Sequence, residues 1–201
     1  MSSYRVIPMA DSSREIDRDD LKPTVLPDDF INCDTAKRIM AFRMPRYEDL
    51  PSMMLYRDQV ITYIEDALAP LALDSDDPWV TPSMINNYVK MHLVPSPEKK
   101  QYGKPQIASI LVICIFKQVL PMSVIKSLFK MQKLTYKDSV AFNYVGSELE
   151  NAIRSSFSSE PIPVDDIAQT MTRESLLVRS VVTSFAARNH LLAYMKYADL
   201  L

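Results

Sequence analysis

Glycine is almost missing from this chain: Gly103 and Gly146 are the only two in 201 residues. Walker loops and G-x-G-x-x-G turns need several glycines, because a Cβ would block backbone N–H groups from phosphate, so both are excluded. Cysteine and histidine are equally scarce, as Cys33, Cys114, His92 and His190. Four such residues at these spacings do not supply a standard Cys/His zinc site, and two cysteines make no disulfide framework. No G-x-S-x-G elbow marks a serine nucleophile. The expectation is a protein with no metal, no cofactor and no catalytic residues, hence not an enzyme. Cys114, inside ILVICIF, reads as a small core residue.

Long apolar runs are missing as well. The longest uncharged stretches are twelve residues, and the apolar one of them is 105–116, whereas a membrane span needs roughly 20. It reads as a buried helix, and no membrane partner is expected. The opening residues, MSSYRVIPMADSSREIDRDD, hold no apolar stretch followed by a small-residue cleavage site. The expected location is cytoplasmic.

Charge is unevenly spread. Residues 81–137 hold nine lysines, no arginine and one acid, Glu98, for a net +8. The whole chain is −2, so the remainder carries −10. Such segregation points to a polyanionic partner for the middle of the chain. The blander reading is a solvated helix face.

Along the chain, residues 1–45 read as an N-terminal arm with one short helix, TAKRIMAF, capped by Asp34. A helix is expected from Ser52 as N-cap to Pro70, with Met54, Val60, Ile61, Ile64 and Leu68 near one face. An acidic loop, 72–80, carries Trp79 as a core or lid anchor. Thr81-Pro82 starts the next helix, because Thr caps it and Pro at the first position lacks an N–H that would be unpaired anyway. Its inner face is Met84, Ile85, Tyr88 and Val89. Pro95 and Pro97 then open a basic excursion, PSPEKKQYGK. A buried helix follows from Pro105, a shorter one from Met122, and another from Tyr136 to Phe157. Gly146 in that last helix suggests a close helix–helix approach. The linker SSEPIPVDD leads to a terminal helix from Thr172. Its first apolar face is Val178, Val181, Val182, Phe185, Leu192 and Met195; Leu177, Ala187, Leu191 and Tyr194 add a second.

The sequence Met84-Ile85-Asn86-Asn87-Tyr88-Val89-Lys90, then Leu93-Val94, then Lys100-Gln101-Tyr102 and Ile107, and finally Met122-Ser123-Val124-Ile125, resembles the MerR-type winged helix-turn-helix. The wider stretch from RYEDLP at 46–51 through LYRDQVITYIE to KQVLPMSVIK is similar to the YkrK-like family of uncharacterised bacterial proteins. His92 stands where the MerR pattern has glycine, and lysines stand in place of the wing arginines.

The resemblance implies an all-α fold with a MerR-like winged helix-turn-helix at 46–131 and a C-terminal helical dimerisation or sensor region at 132–201. It implies a DNA-binding transcriptional regulator with a recognition helix at 81–91 and a lysine-bearing wing at 95–104. Ser83, Asn86, Asn87, Lys90, Lys99, Lys100 and Lys104 are the expected contacts to double-stranded DNA. Asn can pair with adenine in the major groove, and Lys suits phosphate better than base edges. A homodimer through the C-terminal helices and an unidentified small-molecule effector complete the expectation. The competing reading is a protein-interaction module on a winged-helix scaffold that does not bind DNA.

Overall fold

A computed structural model of the chain describes residues 29–73, 77–158 and 170–200. Most of the expected arm (1–28), the centre of the acidic loop and most of the 158–166 linker lie outside these residues. The elements, in order, are α1 (Asp34–Met40), β1 (Leu55–Tyr56), α2 (Arg57–Leu68), α3 (Pro82–Lys90), β2 (Gln101–Tyr102), α4 (Lys104–Phe116), α5 (Met122–Thr135), α6 (Asp138–Ser156) and α7 (Arg173–Tyr197). Short 3-10 turns precede α1 (Phe30–Asn32), follow it (Tyr47–Asp49) and extend α2 (Ala69–Leu71). The fold is mostly helical, with one small wing-like sheet.

α4 is the central element. Ten of its thirteen residues are buried, including every one from Ile110 to Phe116. A helix apolar on all sides needs neighbours on all sides. Those neighbours are α2, β2, α6 and α7. Cys114 Sγ lies 3.4 Å from the Trp79 carbonyl, and burial pushes its thiol up to about 12. α6 and α7 make the most extensive helix–helix contact. One continuous core runs from Phe30 to Ala193 and crosses the expected boundary at 131/132 without a break.

Several local expectations need correcting. Cys33, not Asp34, caps α1: its Sγ accepts from the Ala36 N–H at 3.4 Å. Ser52 caps nothing. The chain is extended at Leu55–Tyr56, and α2 starts only at Arg57, with the Tyr56 N–H donating to Gln59 Oε1 at 2.9 Å. The extended pair is claimed by β2, a long-range partner that periodicity does not reveal. α6 starts at Asp138 rather than Tyr136. At Gly146 the close neighbour is not a helix. A Cβ there would meet Met44 Cβ at 3.3 Å and Arg46 Nη1 at 3.0 Å, both from the segment after α1.

From Phe30 onward the segment expected as an arm with a short helix is packed on the core. Phe30, Ala36, Ile39, Phe42 and Met44 are all buried. Phe30 enters a ring cluster with Phe157, His190, Tyr194 and Tyr197, at centroid distances of 6.0, 5.3, 5.0 and 5.5 Å. A lone aromatic in polar surroundings carries no periodic signal, so its role is invisible in the sequence. It also covers part of the second α7 face, at Tyr194. Phe30→Ala should lower unfolding free energy by about 3–5 kcal/mol, the usual cost of emptying a buried aromatic site. Denaturant titration of the full chain checks this, and a drop under about 1 kcal/mol would show the cluster to be dispensable.

Candidate functional site

α3 begins as the sequence predicts. Thr81 Oγ1 accepts from the Met84 N–H at 3.2 Å, and Pro82 occupies the first position. Ile85 and Tyr88 are buried, with Met84 and Val89 half-buried beside them. Burial pushes the Tyr88 phenol well above its ordinary value, so it is a neutral core group. The opposite face holds Ser83, Asn86, Asn87 and Lys90, all exposed. Their i, i+3, i+4, i+7 spacing puts them on one side of the helix. Ser83 Oγ is 3.0 Å from Thr81 Oγ1, and Asn87 Nδ2 is 3.6 Å from Met91 Sδ.

The end of α3 is unusually well fixed. His92 takes φ 57°, the left-handed region that normally favours glycine. The Leu93 N–H donates to the Tyr88 carbonyl and the His92 N–H to the Val89 carbonyl, both at 3.0 Å. This pair of bonds is a Schellman motif, closed by apolar contact through the buried Leu93. The motif turns the chain directly into the 95–104 excursion.

That excursion is a tight turn. The Glu98 N–H donates to the Gln101 carbonyl at 3.0 Å, and the Gln101 N–H to the Glu98 carbonyl at 2.8 Å. The two residues between, Lys99 and Lys100, have φ 48° and 66°. Two positive φ angles define the hairpin turn that matches strand twist, and Asn-Gly is its preferred sequence. Here it is Lys-Lys, both exposed. β2 then pairs antiparallel with β1, Leu55 opposite Tyr102 and Tyr56 opposite Gln101. Tyr102 is buried and anchors the base of the wing.

Lys104 sits apart from these two. It lies in the first turn of α4, half-buried, and its Nζ donates to the Glu48 carbonyl at 2.6 Å and contacts the Tyr47 carbonyl at 3.4 Å. The 47–49 turn is itself held by α6: the Tyr47 N–H donates to Asn143 Oδ1 at 2.8 Å, and Asn143 Nδ2 donates to Glu48 Oε2 at 3.1 Å. That last bond is the chief reason the Glu48 carboxyl sits below its usual range. Lys104 thus braces the wing base against α6.

Sequence reasoning places the wing lysines but misses the strained turn that presents them. Lys-Lys is not a turn signature, and only the alternation around it, with Tyr102 as an apolar anchor, hints at pairing. The exposed lysines of α5 enter the charge balance, but nothing local assigns them to a surface beside the wing.

A second feature is a cavity of about 290 Å³ among α4, α5, α6 and the start of α7. Ala108, Val112, Phe129, Val145 and Val178 line it, with hydroxyl, amide and carboxylate groups at its edges. Several of those polar groups are already engaged. Ser109 Oγ donates to the Pro105 carbonyl, Gln132 Nε2 donates to Asp138, and Glu174 pairs with Arg173. The space therefore suits an uncharged apolar molecule.

Among the described residues no group of three or more His, Cys, Asp or Glu is placed to hold a metal ion. No helix among them is long and apolar enough to cross a membrane. A family model described as a domain of unknown function, DUF1836, matches residues 45–150. No curated protein and no solved structure matches the chain.

Lys99 and Lys100 impose a conformational cost that Asn-Gly would relieve. Replacing Lys99-Lys100 with Asn-Gly should raise the unfolding free energy by about 1–2 kcal/mol for each of the two positions it relieves, because left-handed backbone costs a lysine that much per residue. Thermal melts compared with a Lys99→Gln/Lys100→Gln control would check it. Equal melting of the two variants would show that the turn is unstrained.

Proposed function

The chain belongs to the DUF1836 family, and from that premise we propose that it is a transcriptional regulator that binds double-stranded DNA. α3 is the recognition helix and the 95–104 segment is the wing. In this proposal the element is of the MerR-type winged helix-turn-helix, and the chain's relation to YkrK-like proteins goes with it. Its work is positioning rather than catalysis, with no cofactor. Lys90, Lys99 and Lys100 neutralise phosphates and release counterions, while Ser83, Asn86 and Asn87 face base edges.

One observation carries the reading. Two cationic side chains occupy the positive-φ positions of a tight turn, where folding alone would favour Asn-Gly. Strain kept at one place, with charge presented there, points to a task other than stability. Next to it, α3 offers an exposed face of amide, hydroxyl and ammonium groups with no acid among them. Lys104 serves as a brace for the wing rather than as a direct contact. That engagement favours the rival reading, a winged scaffold for another protein, to the extent that it leaves the wing only two free lysines.

An apolar, uncharged effector would occupy the cavity beneath α5. A homodimer would form through α7, whose Leu176 and Leu191 remain exposed. Light scattering on the full chain at micromolar concentration should give twice the chain mass. A strictly monomeric protein would remove the dimer from the proposal.

Duplex binding tests the function itself. Anisotropy titrations over a range of salt give a log–log slope of affinity against salt. That slope should fall by about 0.9 for each phosphate that the Lys99→Gln/Lys100→Gln variant no longer neutralises. Asn86→Ala/Asn87→Ala should leave the slope unchanged and erode discrimination among sequences by about 1–3 kcal/mol for each bidentate pair removed. No salt-dependent duplex affinity at low ionic strength would replace this reading with the interaction scaffold.

A further inference from the structure

α5 is the least buried of the long helices, with Ile125 its only fully buried residue. Its core-facing side is packed, while Val124 and Leu134 stay exposed. Leu128 and Phe129 pack against the core beside Ile125. Its outer side carries Lys126, Lys130 and Lys133, all exposed. Spaced i, i+4, i+7, they form one stripe about 10 Å long at 1.5 Å per residue. Lys137, also exposed, follows just past the helix end, and Ser123 and Ser127 lie on or near the same side. The helix contains no acid. Among the described residues, none of the four ammoniums has an ion-pair partner.

The stripe is not isolated from the wing. Pro95, at the foot of the excursion, shares a shallow cleft with Lys133, Lys137 and the residues between and beside them. The last turn of α5 therefore faces, across this cleft, the start of the segment that carries Lys99 and Lys100. We infer that the α5 lysine stripe, Lys126, Lys130 and Lys133 with Lys137, is a second phosphate-tracking surface for duplex DNA, joined to the wing at Pro95. This rests on the DNA-binding reading and extends it from a single helix and turn to a broad cationic surface.

The chemistry favours a duplex backbone over other anions. Phosphates of one strand advance about 3.4 Å along the axis, so the three helical lysines span about three of them. Hydroxyls interleaved with lysines suit phosphate oxygens. A membrane-surface helix would need a continuous apolar face free to enter the headgroup region, and here Ile125, Leu128 and Phe129 are committed to the core, leaving only the separated Val124 and Leu134 exposed. Protein interfaces are depleted in lysine, which argues against a protein partner for the stripe.

The test compares three full-length proteins on one mixed-sequence duplex: the wild type, the Lys126, Lys130, Lys133 and Lys137→Gln variant, and a charge-matched control. The control changes four exposed cations on other elements, Lys37, Arg43, Arg154 and Arg188, to Gln. All substituted groups are at the surface, and melting curves verify folding. The α5 variant should lower the salt slope by about 0.9 per lysine that touches phosphate, while the control leaves it near the wild-type value. If the α5 variant keeps the wild-type slope, the stripe is not a DNA surface, although the DNA-binding reading stands. An equal fall in variant and control would reduce the effect to net charge and overturn the inference. If the wild type fails to bind any duplex, the functional reading falls and this inference with it. Binding of the wild type to phosphatidylserine vesicles, abolished in the α5 variant, would assign the stripe to membranes instead.

Discussion

The whole arrangement depends on hiding α4. Its thirteen residues are apolar on every side, and ten are buried. Burial of one such side chain is worth about 1.5–3 kcal/mol, so exposure of any face of α4 would be costly. The chain therefore wraps it: α2 and the small sheet cover one part, α6 and α7 cover another. This explains why the segment after α1 must also be packed. Glu150, itself buried, accepts the Met44 N–H at 3.1 Å and pairs with Arg46 at 3.1 Å. That clasp ties the entry to the wing region onto α6. Among the residues left facing solvent are α3's polar side, the turn at 98–101 and the outer side of α5.

Charge follows the same logic. Among the described residues, both ion pairs made to buried carboxylates use arginine: Arg46 with Glu150 at 3.1 Å, and Arg179 with Glu148 at 3.4 Å. A planar guanidinium can share several bonds with a buried carboxylate, which a compact ammonium does less well. The segment 81–137 has no arginine at all. Its cations are lysines: most are solvent-exposed point charges, while Lys117 and Lys104 donate to main-chain carbonyls. Thus two carboxylates of the remaining chain are held in internal pairs, whereas most of the positive excess of the middle is left outside.

Legibility in the sequence tracks how local each cause is. Thr81-Pro82 announces α3 because cap and first-turn chemistry lie within four residues. The apolar run at 105–116 announces a buried helix by composition alone. Ser52 misleads because a good local cap yields to strand pairing with residues nearly fifty positions away. Phe30 is unreadable for the same reason: its partners, Phe157, His190 and Tyr194, lie at the other end of the chain. At the candidate site, identities are legible and conformations are not. The sequence names Lys99 and Lys100, yet nothing in two adjacent lysines indicates positive φ. Lys104 reads like its neighbours, and only the carbonyls of the 47–49 turn separate it from them.

The balance of charge and amide groups also bears on how such a surface could choose among sequences. Lysine contacts to phosphate give affinity without sequence preference, and they weaken as salt screens them over about 8 Å at physiological ionic strength. Preference comes from base edges and from DNA shape, and in the proposed reading α3 would supply two amide side chains for the base edges. At about 1–3 kcal/mol for each bidentate pair, one helix supplies about 2–6 kcal/mol. Specific sites are typically separated from bulk DNA by about 4–10 kcal/mol. A single copy therefore falls at or below the lower part of that range, and two copies bound to paired half-sites reach through it. On this arithmetic the proposed DNA binding would be selective only if the proposed dimer forms. The lysine surfaces would set how long the protein stays on DNA, and the doubled asparagine pair would set where.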